Sequence, residues 1–104
     1  MPSYELTQAA DRDLSDIYTY TYTEFGEVQA DTYYQSLEEC LTRLAESPQL
    51  GLGISAVRKG YRRFVHKRHS IYYKQIRSGI RVIRILGRPR LHTASPATTA
   101  RPFV

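Results

Sequence analysis

Ala10, Leu14, Ile17, Thr21 and Phe25 recur at spacings of 4, 3, 4 and 4 residues, which is one face of a helix starting near Gln8. Thr7 stands where an N-cap is needed, and Asp11 and Asp13 sit in the early turns, where the helix dipole favours carboxylates. "TYTYT" (19–23) alternates with period two and is rich in strand formers, yet the 3.6-residue period runs through it, so the helix is expected to continue to Gly26. A second apolar stripe, Ala30, Tyr33, Tyr34, Leu37, Cys40, Leu41 and Leu44, predicts a helix from about Glu27 to Glu46, stopped by Pro48. With little more than Gly26 between them, the two helices should form an antiparallel hairpin.

Ahead of the helices, "SYELT" (3–7) reads as a short strand; "PQLGLGISAVRKG" (48–60) reads as a loop. Three strand patterns follow, roughly 61–66, 69–76 and 80–86, separated by tight turns at "KR" (67–68) and "RSG" (77–79). The expected fold is α+β with the order β-α-α-β-β-β, a helical hairpin lying on one face of an antiparallel sheet. Strict alternation in the last strand puts Ile80, Val82, Arg84 and Leu86 on one face and Arg81, Ile83 and Ile85 on the other. The middle strand likewise sets Ile71 and Tyr73 against Tyr72 and Ile76. A sheet covered on one side should be mostly polar on the other. Apolar side chains on both faces mean either that the helices wrap further or that the second face receives a partner, although small proteins expose much apolar surface in any case.

From Arg88 on, "RPRLHTASPATTARPFV" has three prolines and no periodicity. The chain is therefore expected to be one domain, residues 1–88, followed by a tail, residues 89–104, that is disordered unless docked and is dispensable for folding.

Charge sharpens this picture. The 104-residue chain carries 15 Lys and Arg against 10 Asp and Glu, a net charge of +5. Two cations and ten carboxylates give residues 1–57 a charge of −8; thirteen cations and no carboxylate give residues 58–104 a charge of +13. The halves attract each other, and the second keeps an excess of positive charge for an anionic partner. "YRRFVHKRHSIYYKQ" (61–75) interleaves that charge with aromatics. The basic positions Arg58, Lys59, Arg62, Arg63, Lys67, Arg68 and Lys74 are the candidates for target contact, each weighed against being a solvated surface charge.

Catalysis fits poorly. Ribonuclease chemistry needs an acid and a base beside its cations, and after Glu46 only His66, His69, His92 and tyrosines could serve. One Cys and three His without paired spacing build no zinc site, and "GLG" (51–53) lacks the context of a phosphate loop. No cofactor or metal is expected. A single cysteine, Cys40, excludes an internal disulfide and fits a reducing cytosol; no apolar run is long enough to span a membrane, and the N-terminus lacks a secretory h-region.

The order of elements resembles ParE-type toxins of the ParE/RelE superfamily, over about residues 3 to 88. That family opens x-L-[ST]-x-x-A-x-x-D-L-x-x-I, here "YELTQAADRDLSDI", and continues with a Gly between helices and Q-A-x-x-Y, here "VQADTY". "PQLG", "GYRRF", a basic turn, "HSIYYK" and "RVIRILGR" follow in the family's order. Many relatives continue after "GR" with a Gln-Asp or similar pair and a short helical finish, which this chain lacks. The resemblance implies a cytoplasmic toxin that inhibits DNA gyrase by non-enzymatic binding. It also implies a cognate antitoxin wrapping across the sheet, contact with operator DNA only through that antitoxin, and a hetero-oligomer. Ile71, Tyr73, Val82, Ile83, Ile85 and Leu86 are the apolar candidates for antitoxin contact. The rival is a RelE-like mRNA endoribonuclease; that branch uses a basic cluster with a C-terminal Tyr, or a Glu with His and Tyr. This chain has no Tyr after Tyr73 and no acid after Glu46.

Overall fold

The computed structural model describes residues 2–87; the expected tail, and with it the boundary at residue 88, lies outside them. Strand β1 (Ser3–Leu6) leads into helices α1 (Gln8–Phe25) and α2 (Glu27–Glu46). A single 3-10 turn (Pro48–Leu50) and a two-residue strand β2 (Leu52–Gly53) follow, then β3 (Tyr61–His66), β4 (His69–Ile76) and β5 (Gly79–Gly87). The fold is α+β, as expected, with one five-stranded sheet in the order β1-β5-β4-β3-β2. The sheet is mixed rather than wholly antiparallel, because β1 pairs parallel to β5. Two long helices between β1 and the later strands allow the chain to return beside its own start in the same direction.

The helix limits follow their local signals. The Thr7 hydroxyl accepts the Ala10 N–H at 3.0 Å, and Gly26, at φ 90°, sits between the helices in a conformation that disfavours a side chain. "TYTYT" is helical, and the hairpin uses its tyrosines: the Tyr18 hydroxyl donates to Asp31 at 2.6 Å, and its ring meets Tyr34 edge-on. Ala10, Leu14 and Ile17 from α1 and Leu37, Cys40, Leu41 and Leu44 from α2 are buried against Ile71, Tyr73, Ile80, Val82 and Ile85. Phe25, expected on the buried face, is 65% exposed and ends the helix outside the core.

Strict alternation fails in β5. Tyr73 pairs with Val82 but Tyr72 pairs with Arg84, so Ile83 is an extra residue in a β-bulge. The bulge shifts the phase of the strand. Ile80 and Val82 face the helices before it and Ile85 faces them after it, all three fully buried, while Leu86 turns outward. The pairing of Val82 with Leu86, and of Ile83 with Ile85, on common faces is thereby corrected.

The edge of β5 left bare where β1 ends is closed by α1. The Thr7 N–H donates to the Val82 carbonyl and the Thr7 hydroxyl to the Ile83 carbonyl at 2.9 Å. The Asp13 carboxylate accepts the Ile85 N–H at 2.9 Å and a two-pronged contact from the Arg84 guanidinium at 2.8 and 3.0 Å. A carboxylate takes three donors well, and a fork from Arg is the geometry that suits it best.

Candidate functional site

Cross-strand partners share a face. The register therefore places Tyr61, Lys74 and Arg81 in one row on the face away from the helices, Arg63 and Tyr72 in the next, and Val65, Ser70 and Leu86 in a third. Among the described residues no element covers this face. It combines cations with aromatic and aliphatic side chains, including the partly exposed Val65 and Leu86.

The seven basic candidates do not form one cluster. Lys59, Arg62 and Lys74 line a cleft under the loop between β2 and β3, Arg58 in that loop lies over the Tyr61 ring, and Arg63 lies on the open face with its Nε donating to Ser70 at 3.3 Å. Lys67 and Arg68 form the turn at the other end of β3, roughly 17 Å away for a six-residue strand. There they line a cavity of about 310 Å³ with Tyr20, Phe25, Tyr33 and His69. Arg62 is partly committed: it is on the helix-facing side beside Tyr73 and donates to the Gly51 carbonyl at 2.7 Å. Arg81 and Arg84, by contrast, are held by Glu5 and Asp13.

Of the six apolar candidates for partner contact, Ile71, Tyr73, Val82 and Ile85 are fully buried in the core and present no surface. Ile83 and Leu86 remain accessible. Within β5 the bulge decides this division, and it leaves no mark in the alternation of residue types.

His66 and His69 face each other across the β3–β4 turn and both point into the helical layer. His69 is 2% exposed, and its Nδ1 lies 2.6 Å from the Tyr33 hydroxyl. Burial pushes the Tyr33 phenol up to about 12, so it keeps its proton and meets His69 as a neutral hydroxyl. The Ser36 hydroxyl gives its one proton to the Tyr33 carbonyl, so at 3.0 Å it accepts from His66 Nε2. Burial, then the positive charges of Lys67 and Arg43, hold the His66 pKa below its ordinary value. Both imidazoles thus tie the β3–β4 hairpin to α2. Tyr33 and Ser36, which make these ties, had no signal of their own beyond lying on the apolar side of α2. Among the described residues no three His, Cys, Asp or Glu side chains come together as metal ligands, and no helix is long and apolar enough to cross a membrane.

Comparison with known proteins agrees with this architecture. The family model described as the ParE toxin of the type II toxin–antitoxin system parDE matches residues 4–91. Toxin ParE1 of Caulobacter vibrioides is 38% identical over 88 residues, covering 83% of this chain and 88% of that protein. Toxin ParE1 of Mycobacterium tuberculosis is 33% identical over 84 residues, covering 80% and 86%. A solved structure described as the chromosomal ParDE toxin–antitoxin system from P. aeruginosa shares the fold, with a TM-score of 0.69 at 24% identity over 82% of this chain and 94% of that one. With its family pattern and two such relatives each spanning most of their length, the chain belongs to the ParE toxin family of type II toxin–antitoxin systems.

Proposed function

We propose that this toxin acts in the cytoplasm by binding DNA gyrase without catalysis, and that a cognate antitoxin neutralises it by covering the sheet face opposite the helices. The observation that carries the non-enzymatic part is the use made of the histidines. His69 is buried against Tyr33, and His66 has its Nε2 proton engaged by Ser36. An acid–base pair must reach the proton it transfers; both imidazoles are turned away from the open face, and His69, although it edges the cavity beside Lys67 and Arg68, is 2% exposed and tied to Tyr33. The antitoxin part is supported by that face itself, where Val65, Ile83 and Leu86 lie among Tyr61, Arg63, Tyr72 and Lys74. A partner segment with apolar and acidic side chains would suit it.

Gyrase supercoiling run beside in vitro translation tests the reading. The purified protein should block supercoiling and leave messenger RNA intact, and added antitoxin should restore supercoiling. Codon-specific cleavage of ribosome-bound messenger RNA would instead favour the RelE-like alternative.

A further inference from the structure

Beneath the loop joining β2 to β3 lies an open cleft of about 360 Å³. Lys59, Arg62 and Lys74 line it, and no Asp or Glu does. In β5, Arg81 meets the Glu5 carboxylate and Arg84 that of Asp13. Here three basic residues line one cleft without one.

The local fold explains the cleft. Gly53 pairs with Arg62, and the ladder continues through the Ile54 N–H to the Tyr61 carbonyl at 2.9 Å. This closes residues 55–60 into a loop over the end of β3, where Lys74 is the partner of Tyr61. Gly53 and Gly60 also line the cleft, and a side chain built at either would meet nothing within 4 Å. The cleft wall at these two positions is bare backbone that a ligand can approach closely.

We propose that this cleft is a binding site for the phosphate of a nucleotide. Lys59 and Lys74 supply point charges, Arg62 adds to the positive field from beneath the loop, and the Tyr61 ring carries a further cation, Arg58, 5.7 Å over its centroid. The phosphate could come from a nucleic-acid strand or from a free nucleotide, and the chemistry of recognition is shared. If the gyrase reading holds, a strand phosphate here would let the toxin grip the DNA as well as the enzyme.

The test is calorimetric titration of the full chain, with amide NMR, using three probes at one ionic strength: a ten-nucleotide single-stranded DNA, ATP and inorganic phosphate. At least one probe should shift the amides of Gly53, Ser55 and Gly60. The double variant Lys59→Ala/Lys74→Ala should weaken it by about tenfold or more, and Arg12→Ala/Arg43→Ala, which removes the same charge from the helical layer, by less than about twofold. Ser55→Glu keeps every cation and should weaken binding as well, which guards against a variant that merely misfolds. Tighter binding of the oligonucleotide than of ATP identifies a strand phosphodiester as the ligand; equal or tighter binding of ATP or phosphate identifies a free anion. Equal losses in the two double variants, shifts centred on Lys67 and Arg68, or no binding of any probe would overturn the site. Supercoiling inhibition by the unaltered chain is scored separately, so loss of the gyrase reading is not confused with loss of the cleft.

Discussion

The phenol of Tyr73 accepts the N–H of Gly51 at 2.8 Å and donates to the carbonyl of Pro48 at 2.7 Å. One buried hydroxyl on the middle strand thereby fastens the turn that links α2 to the sheet. Gly51 has to lack a side chain, since a Cβ there would overlap the Tyr73 hydroxyl. The "P-x-x-G" spacing is the distance between the two backbone groups that this hydroxyl joins.

Tyr73→Phe should therefore destabilise the fold although it preserves the ring. It strips two buried backbone groups of their partner, which costs about 2–4 kcal/mol in total. Urea unfolding at constant pH measures this; an unchanged midpoint would show that water or a shifted loop satisfies both groups.

Asp13→Ala should cost about 2–3 kcal/mol. It removes the acceptor of the Ile85 N–H and of the Arg84 fork. The figure is discounted below that of a fully buried pair because the Arg84 side chain is 46% exposed. Arg84→Ala alone should cost less, since Asp13 then keeps the Ile85 amide. Thermal unfolding of both variants gives the comparison.

His66 should make the fold acid-sensitive. Its folded pKa lies below the ordinary value of 6.5 because burial, Lys67 and Arg43 oppose its charge. The folded state then binds the proton less readily than the unfolded chain, so stability falls as pH drops. The loss begins near the unfolded value of about 6.5 and is complete once pH is below the folded value. Melting curves between pH 8 and pH 4.5 should show this component, and His66→Gln should reduce it. An identical pH profile in the variant would assign acid sensitivity to other groups.

Ile83→Asp or Leu86→Asp should weaken antitoxin binding without unfolding the toxin. Each side chain is partly exposed on the bulged strand, and covering one is worth up to about 1.5–3 kcal/mol. Asp at Val82 or Ile85, which are fully buried, should instead abolish folding. Affinity measurements paired with circular dichroism separate the two classes; full affinity for both Ile83→Asp and Leu86→Asp would remove this face from the antitoxin interface.

Local sequence by itself determined the helices and the longer strands; β2 (Leu52–Gly53) lies in the stretch that reads as a loop, because so short a strand is defined only by its pairing with Arg62 and Arg63. The helical periods through Ala10–Thr21 and Ala30–Leu44, the Thr7 cap, Gly26 and Pro48 are interactions among near neighbours, so they are legible without a fold. Strands β3, β4 and β5 were legible for the same reason, since turn residues bound their alternating runs. Only the tertiary structure decided which side chains those strands expose. A bulge is set by the match between two strands, and here Ile83 is extruded where β1 ends and where Thr7 and Asp13, more than 70 residues away in sequence, take up its carbonyl and the Ile85 amide. The same holds for β1 running parallel to β5, for Tyr33 and Ser36 claiming the two histidines, and for Lys59, Arg62 and Lys74 lining one cleft. Each joins groups that no local period relates, because hydrogen-bond partners and converging charges are chosen by distance in space rather than along the chain.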